Sequence, residues 1–504
     1  MESSNGFSNE YFSILNRTVD KVEEPAKGRY FPVPKRGVSE HLVQLVWKNI
    51  LYNNGSMTTT DGIPIKILKP GRLNRREGPD FKNGVLLLNG EKVAGDVEIH
   101  VEAREWYDHK HHLSPHYKRT ILHVFLNRTE DARPSVTVNG KSPHELELGL
   151  YLRHSIDELQ REVELGDTPL SGRAQNPPCR RYFSETPTGK IERLMDVIGE
   201  GRMLIKSNLL FERLEASDPE QVLYETVFEA LGYSRFKKQF GHMAKAMPLK
   251  RLKEIIKANS GIEPALTVQG VFFRLAGLDM EIETDRADVA LQEFLRVYAD
   301  VKAEGVEPIY DAGEWSIAGS RPANSPFRRI AAFSRLVVEP LDPAMLEKQF
   351  SSITAGREKI KEARKTITEV MEIFCRISDP FWDYRYSLGS RARGGKKLVG
   401  RDRAVAILVD SLIPLFLAIS RSRHDIELEK KLVSAIYAAP KPSSNSVVDF
   451  MSRNLFGKER GGIVRSALHQ QALIQLYNDF CFSFPSHCGS CPMPDYLSKN
   501  MKRG

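Results

Sequence analysis

Three ionisable side chains alternate along one apolar stretch of the sequence. The stretch Gly95–Val101 reads GDVEIHV, with Asp96, Glu98 and His100 at every second position. Because successive side chains of a β-strand point to opposite faces, these three project together if the stretch is a strand. Two carboxylates beside an imidazole can hold a divalent cation, and the imidazole can position or deprotonate a water molecule. We therefore expect a catalytic face, with Asp96 as an auxiliary carboxylate.

A fourth ionisable residue, Asp80, stands just before the preceding apolar run. That run ends in VLLL and is followed by Asn89-Gly90, a strong signal for a two-residue β-hairpin. A hairpin closed at this turn brings Asp80 beside Glu98 and His100. The sequence thus predicts that Asp80 and Glu98 bind Mg²⁺ or Mn²⁺, with His100 next to the metal.

A histidine-rich segment, EWYDHKHHLSPHY, follows the alternating stretch. His109 and His111 are expected to reach the site as additional metal ligands or as hydrogen-bond donors to phosphate. The alternative is a surface loop whose histidines contact only solvent. Three arginines shortly before the first carboxylate are expected at the mouth of the site, where they would neutralise phosphate oxygens: Arg72, Arg75 and Arg76.

A second basic segment, SRARGGKKLVGRDR, lies in the C-terminal half of the chain. Glycines combined with dense positive charge are typical of a loop that follows a phosphate backbone, although solvated surface loops have the same composition. The expected nucleic-acid-binding residues of this loop are Arg391, Arg393, Lys396 and Lys397.

Three of the five cysteines lie close together near the C-terminus. Cys481, Cys488 and Cys491 have the spacing C-x6-C-x2-C, and the candidates for a fourth ligand are Cys179 and His487. Four thiolates suit tetrahedral zinc or an iron-sulfur cluster. The alternative is that these cysteines are small buried apolar residues. We expect one metal centre shared by Cys179 and the three C-terminal cysteines.

Length and composition limit the class of protein. The chain has 504 residues, more than one hydrophobic core accommodates. Its formal net charge of +8 favours a polyanionic partner. The N-terminus lacks the pattern of a secretory signal. The most apolar stretch, 404–420, contains polar residues and is flanked by arginines, which favours a buried helix over a membrane span. We expect a cytoplasmic protein with no membrane partner.

Hydrophobic periodicity divides the chain into regions. Residues 1–36 are polar and predict a flexible N-terminal arm. A helix and several strands follow, so 37–160 is expected to form a mixed-sheet domain. A segment rich in proline and glycine, 161–190, predicts a linker. Helical stripes without a fixed repeat occupy 191–504, so the expected fold class is α+β, a mixed-sheet core followed by a larger all-α domain.

The order of the acidic and basic groups resembles the PD-(D/E)xK phosphodiesterases. The matching strings are Gly78-Pro79-Asp80 at a strand head and Glu98-Ile99-His100 on the next strand, and the resemblance covers about residues 38–130. It implies a restriction-endonuclease-like core and a metal-dependent nuclease. His100 stands where that family has a lysine, and a histidine is not a permanent cation near pH 7.

The cysteine spacing carries a resemblance of its own. C-x6-C-x2-C is similar to the first three ligands of the iron-sulfur loop in helix-hairpin-helix DNA glycosylases, whose fourth cysteine would fall at Leu497. One cysteine after the nuclease-like core and three near the C-terminus also resemble the arrangement in some iron-sulfur PD-(D/E)xK nucleases.

Longer strings resemble the bacterial domain-of-unknown-function family DUF2851. They are GPDF, GDVEIH, the segment around Trp106, ILHV and RPANSP, and the resemblance is expected to continue into the cysteine-bearing C-terminus. Membership implies no particular activity, so the nuclease interpretation depends on the residues themselves.

The residues together predict a metal-dependent phosphodiesterase that acts on DNA or RNA. One alternative is a catalytically inactive protein that binds nucleic acid or serves as a scaffold. A second alternative is a histidine-rich metallohydrolase for another class of substrate, with a site built from His109, His111 and His123.

Overall fold

The computed structural model describes residues 38–152 and 177–497 with short gaps. The predicted N-terminal arm and residues 161–176 of the predicted linker lie outside the described residues. The gaps within the two ranges are 39, 49–51, 55–56, 75–76, 130, 279–287, 312–314, 316–321, 340, 357–358, 458–460, 483–487, 489–490, 492 and 496.

The described N-terminal part, 38–152, is a mixed β-sheet with its first helix packed on it. The sheet has the strand order β1-β2-β4-β5-β6-β7, with β3 also paired to β4. Pairing is antiparallel from β1 to β5 and parallel from β5 to β7. The elements are α1 (Glu40–Lys48), β1 (Met57–Thr58), β2 (Pro64–Lys69), β3 (Arg72–Leu73), β4 (Phe81–Leu88), β5 (Glu91–Glu102), α2 (Glu105–Asp108), β6 (Thr120–Asn127) and β7 (His144–Glu147).

The predicted hairpin is confirmed, since β4 and β5 are joined by the two-residue turn Asn89-Gly90. The pair Leu88 and Glu91 closes the ladder. Asn89 has φ +47° and Gly90 has φ +85°. Two successive left-handed residues form the turn whose twist matches that of the flanking strands, and asparagine followed by glycine adopts it with little strain.

A β-bulge interrupts this hairpin opposite Asp96. Phe81 pairs with Val97 and Gly84 with Gly95, so Lys82 and Asn83 together face the single residue Asp96. Asn83 takes a left-handed conformation with φ +57°. Such a bulge bends the strand and redirects nearby side chains.

The three central strands divide apolar from polar residues between the two faces of the sheet. On one face Val97, Ile99, Leu122, Val124 and Leu146 are buried in the core. The register of the parallel strands aligns Glu98 with His123 and His123 with Glu145. Paired residues point to the same face, so these polar side chains form one row across the sheet.

Helix α1 covers the sheet with an apolar stripe, as its periodicity predicts. Its five buried residues are Leu42, Val43, Leu45, Val46 and Trp47. The Trp47 indole N–H donates to the carbonyl of Pro70 at 3.0 Å, which ties the helix to the end of β2. This packing fixes which side of α1 turns toward the hairpin.

The larger C-terminal part is helical, as expected, except for a small two-stranded sheet. The prediction that it is entirely helical is wrong in this detail, and helix α3 lies inside the segment predicted to be a linker. The elements are α3 (Cys179–Glu185), α4 (Thr188–Ala216), α5 (Pro219–Leu231), α6 (Tyr233–Ala246), α7 (Leu249–Ala258), α8 (Pro264–Leu275), α9 (Val289–Asp300), α10 (Pro326–Val338), α11 (Pro343–Ser351), α12 (Ile360–Cys375), β8 (Arg385–Ser387), β9 (Ser390–Arg391), α13 (Arg401–Ile407), α14 (Ile413–Ser422), α15 (Ile426–Ala438), α16 (Ser446–Phe456) and α17 (Ala467–Leu476).

The apolar stretch predicted to be a buried helix forms α13 and α14, which a π-helical turn at Leu408–Leu412 joins into one helix. Pro414 follows that turn and has no backbone N–H to donate, which favours a local change of hydrogen bonding. Within the described part of the chain, this is the one helix long and apolar enough to cross a membrane, and 83% of its most apolar window is buried. Such burial is typical of a core helix.

Candidate functional site

The hairpin brings Asp80 and Glu98 together, as the sequence predicts. The backbone N–H of Asp80 donates to Glu98 Oε2 at 2.9 Å, and the N–H of Ile99 donates to Asp80 Oδ2 at 3.1 Å. Burial raises the pKa of both carboxyls well above the usual range, and the charge of Glu98 raises that of Asp80 further. Two acids held this close favour either a shared proton or a bound cation.

A third carboxylate, Glu40, joins them from α1 and was missed by the sequence reasoning. The Gln44 side-chain amide donates to Asp80 Oδ1 at 2.9 Å and to Glu40 Oε1 at 3.1 Å, so it connects the two acids. Burial raises the pKa of Glu40 to about 8, with added contributions from the charges of Asp80 and Glu105. An acid in the first turn of a helix is ordinarily explained by the helix dipole, so its position alone did not indicate a role in the site.

Two imidazoles meet the other oxygen of Glu98. His111 Nε2 lies 3.1 Å and His100 Nε2 lies 3.6 Å from Glu98 Oε1, and the two ring nitrogens are 3.1 Å apart. Within the described residues, the ligand atoms of His100, His109 and His111 form a group whose members all lie within 4.8 Å of one another. His100 and His111 are buried, whereas His109 is exposed. His111 therefore reaches Glu98, whereas His109 lies beside the two buried imidazoles.

A chain of hydrogen bonds behind His100 determines which of its nitrogens carries the proton. Ser135 Oγ donates to Glu145 Oε1 at 2.8 Å and lies 2.7 Å from His123 Nδ1. Since that hydroxyl hydrogen is used, Ser135 accepts from His123 Nδ1–H, which leaves His123 Nε2 as an acceptor. His100 Nδ1 lies 2.8 Å from His123 Nε2 and must donate to it.

The result is a lone pair on His100 Nε2, directed at Glu98 and His111. Burial lowers the pKa of His100 well below its usual value, lowers that of His111 to about 4 and lowers that of His123 to about 3. All three imidazoles are therefore neutral near pH 7, the form in which imidazole binds a metal. His123 is not a direct member of the group; it orients His100 from behind.

Aromatic rings enclose the imidazoles. The Tyr117 ring stacks on that of His111 with centroids 4.0 Å apart, and buried Trp106 contacts His111, Tyr117 and His123 edge-on or at a tilt. Burial, followed by the charges of Glu98 and other carboxyls, raises the pKa of the Tyr117 hydroxyl above its ordinary value. These rings restrict the movement of the imidazoles and limit access of water to them.

Asp96 does not join the site in the way the alternation suggests. Its carboxylate pairs with Lys82 Nζ at 3.1 Å and accepts the N–H of Asn83 at 3.2 Å. The physical reason is the bulge, which places two residues of β4 opposite Asp96 and satisfies its oxygens there. Lys82, two residues after Asp80, exerts a favourable electrostatic effect on Glu98 and was also missed by the sequence reasoning.

The predicted basic residues differ in their surroundings. Arg72 is exposed and lies opposite Lys82 in the β3–β4 pairing, close in the chain to Asp80. Arg75 and Arg76 lie outside the described residues. In the second basic segment Arg391 pairs with buried Asp288 at 2.8 Å. Arg391 is nevertheless 65% exposed, and Arg393, Lys396 and Lys397 also face solvent.

Buried Arg328 holds the backbone of this basic loop. Its guanidinium donates to the carbonyls of Lys396 at 2.7 Å and Lys397 at 3.0 Å, and also to those of Trp382 and Arg385. The loop therefore presents its lysines from a fixed backbone. Arg328 belongs to the stretch RPANSPFR, whose structural role the sequence alone did not reveal.

The four cysteines predicted to share a centre line one small cavity. It is enclosed by Cys179, Cys481, Cys488 and Cys491 together with apolar side chains. Burial raises the pKa of the Cys179 thiol to about 12, with further contributions from the other three thiols. Residues 179 and 491 are far apart in sequence, so this proximity results from the tertiary structure. His487 lies outside the described residues.

Fold and site together define an α+β protein with a buried group of carboxylates and imidazoles. The chain belongs to the DUF2851 family, described as proteins of unknown function, because it matches that family over residues 40–446, more than half of its length. The match ends before the three C-terminal cysteines, so the resemblance expected for that segment lies outside it. No curated protein and no solved structure matches the chain.

Proposed function

We propose that this protein is a metal-dependent phosphodiesterase of the PD-(D/E)xK type that acts on nucleic acid. The observation that supports it most strongly is the convergence of Glu40, Asp80 and Glu98 beside an imidazole nitrogen, His100 Nε2, that carries a lone pair and no proton. When they are ionised, buried carboxylates this close repel one another, which contributes to their raised pKa values, and a divalent cation relieves that repulsion.

The proposed ligands fall into two sets that share Glu98. Glu40 and Asp80 provide oxygen ligands on one side, and His100 and His111 provide nitrogen ligands on the other. The proton on His111 Nε2 satisfies Glu98 and His100 in the metal-free site, and a cation would take its place. A bound Mg²⁺ or Mn²⁺ would polarise the phosphate and lower the pKa of the attacking water.

His100 has a different role from the lysine of the PD-(D/E)xK motif. Its lowered pKa keeps it neutral, so it acts as a ligand or as a base and not as a cation. Lys82 provides a positive charge near Glu98 from a neighbouring strand. The site thus contains a lysine at a position that the usual spacing does not predict.

The mixture of ligands favours particular metals. Imidazole nitrogen binds first-row transition metals more readily than Mg²⁺, whereas carboxylate oxygen suits both. We therefore expect Mn²⁺ to support cleavage better than Mg²⁺ does at equal concentration.

The choice of nucleic acid as the substrate class is supported by charge. The chain has a formal net charge of +8, and it exposes Arg72 near the site and three basic side chains on the fixed loop at 393–397. Such groups contact phosphates and orient a polyanionic substrate.

The test is cleavage of labelled single-stranded and duplex DNA and RNA by purified protein with Mn²⁺, Mg²⁺ or chelator. We expect metal-dependent cleavage that Glu98→Gln abolishes while circular dichroism remains unchanged, since glutamine keeps an acceptor for the Asp80 N–H. Glu102→Gln, on the same strand but outside the site, is the matched control and should retain full activity. Binding without cleavage under every metal condition would instead favour the inactive nucleic-acid-binding alternative.

A second candidate function, a metallohydrolase for another substrate class, is favoured by one observation. His100, His109 and His111 form a three-nitrogen group, which suits zinc. The metallohydrolase differs from the nuclease in its dependence on His109 and in its substrate. If it is correct, His109→Ala abolishes hydrolysis of a small ester or phosphoester by zinc-loaded protein, and the protein cleaves no nucleic acid. For the nuclease, exposed His109 is an auxiliary group, and its loss should leave part of the cleavage activity.

A further inference from the structure

The four cysteines come from two places that the fold brings together. Cys179 begins α3, the first described helix after residue 176, and Cys481 lies in the π-helical turn Tyr477–Phe482 that follows α17. Cys488 and Cys491 follow in the C-terminal segment. All four are thiols and none forms a disulfide.

The cavity between them is lined by sulfur atoms and apolar side chains. Its volume is about 30 Å³, and apart from the sulfurs its lining is nearly all apolar, including Phe450, Met451, Leu455 and Met493. An apolar cavity in a protein core is normally filled by side chains. Four thiols directed at one small space in apolar surroundings are instead typical of a soft-metal site.

The spacing of the sulfurs distinguishes between the metals that thiolates prefer. Tetrahedral zinc has Zn–S bonds of about 2.3 Å, which places its sulfurs only about 3.8 Å apart. Among the residues that the structure describes, ligand atoms within 4.8 Å of one another are found in the histidine group, and no group of three cysteine sulfurs is found. In a [4Fe–4S] cluster each cysteine binds a different iron atom, and in a [2Fe–2S] cluster no more than two cysteines share one iron, so neither cluster brings three cysteine sulfurs as close together as tetrahedral zinc does.

We propose that Cys179, Cys481, Cys488 and Cys491 bind an iron-sulfur cluster that fastens the C-terminal segment to helix α3. This centre is separate from the carboxylate and imidazole site, and the inference does not depend on the proposed nuclease activity. Cys179 is about 300 residues away in the chain from the other three ligands.

The packing around the centre indicates what the cluster does for the fold. The Phe183 ring on α3 meets Phe456 on α16 edge-to-face at 5.2 Å, and Phe450 and Leu455 from α16 line the cavity. The cluster therefore completes a contact between α3, α16 and the C-terminal segment. A group that binds only the folded chain stabilises the folded chain. Loss of the cluster should therefore loosen the packing of α3, α16 and the C-terminal segment.

The test is iron, sulfide and zinc analysis of full-length protein purified without oxygen, with a visible spectrum. We expect brown protein whose iron and acid-labile sulfide are equal and whose absorption bleaches on reduction with dithionite. If the purified protein lacks metal, it is incubated anaerobically with ferric iron, sulfide and a thiol reductant, which supply the ferric and ferrous iron of the cluster, and it should then acquire the same spectrum.

The variants compare a proposed ligand with a cysteine outside the centre. Cys491→Ser should lose most of the iron and lower the melting temperature, whereas Cys375→Ser, at the end of α12, should keep the iron of the wild type. One zinc per chain without iron, or folded wild-type protein that takes up no cluster on reconstitution, overturns the proposal. So does equal loss of iron in the two variants. Because the wild-type measurements decide the point, a failure of Cys491→Ser to fold leaves the test intact.

Discussion

The hydrogen-bonded chain behind His100 makes a prediction about a residue that touches no metal. Ser135 is 1% exposed and His123 is fully buried. In Ser135→Ala the His123 Nδ1–H loses its acceptor. His123 then either keeps an unsatisfied donor or moves the proton to Nε2, which forces the His100 proton onto the nitrogen that faces Glu98. Metal binding requires the first state with its unsatisfied donor, whereas the metal-free protein can adopt the second, so the substitution weakens metal binding.

The size of the effect follows from burial. A buried donor without a partner costs about 1–3 kcal/mol, and about 1.4 kcal/mol corresponds to a tenfold change in affinity. Groups that orient a metal-binding histidine typically change metal affinity by about 10- to 100-fold. We therefore expect Ser135→Ala to weaken Mn²⁺ binding by about 10- to 100-fold. The backbone N–H of residue 135 still donates to Glu145 at 2.7 Å, so the loop should keep its position.

The assay is calorimetric titration of metal-free protein with Mn²⁺. Thr137→Ala is a matched control, because Thr137 is a buried hydroxyl of the same loop that bonds to Asn139 and the carbonyl of Lys141 and not to a histidine. Thr137→Ala should bind Mn²⁺ like the wild type. The reasoning is refuted if Ser135→Ala binds Mn²⁺ within twofold of the wild type, or if the two variants weaken binding equally.

Two further predictions concern the helical part. Asp288 bonds to Arg391 and Arg385, which hold the pKa of its carboxyl well below the usual range, so its contribution to stability is present above the unfolded pKa of about 3.9 and lost as pH falls below it. Asp288→Asn keeps the hydrogen bond to the Leu291 N–H but loses the ion pairs. Its melting temperature should therefore be a few degrees below that of the wild type at pH 7, and the difference should shrink below about pH 4. A difference that does not change with pH contradicts the ion-pair account. Removing the three exposed basic groups of the fixed loop should reduce the salt dependence of nucleic-acid binding by about 0.7–0.9 in slope per phosphate contact, and an unchanged slope would remove the loop from the interface. The variant is Arg393→Ala, Lys396→Ala, Lys397→Ala, and its control on α12 is Lys361→Ala, Arg364→Ala, Lys365→Ala.

Local patterns predicted the elements that carry the site. The turn Asn89-Gly90 and the alternation in β5 were sufficient to predict the hairpin that carries Asp80 and Glu98. They were not sufficient for its register, because the pairing set by the turn would place Asp80 opposite Ile99, and only the β-bulge shifts it opposite Glu98. The helical part and the α+β class were also readable from periodicity. These features depend on neighbours in sequence, which is why a single chain revealed them.

The parts that sequence reasoning missed depend on tertiary packing or on a local irregularity. The bulge opposite Asp96 turned that carboxylate to Lys82, and nothing in the alternating pattern signals an extra residue in the partner strand. Glu40 reaches the site only because α1 packs on the sheet at one particular rotation. The position of His123 behind His100 likewise depends on the parallel register of β5 and β6, which no short motif specifies.

The central claim is that a metal ion binds at Glu98, between the carboxylates and the imidazoles. The direct measurement is the anomalous difference map of crystals grown with Mn²⁺, from data collected at the manganese absorption edge. The account predicts that the strongest peak lies within bonding distance of a Glu98 carboxylate oxygen and of His100 Nε2, and that it is absent from Glu98→Gln crystals. Well-ordered Glu98 and His100 side chains with no anomalous peak between them at saturating Mn²⁺ would contradict it.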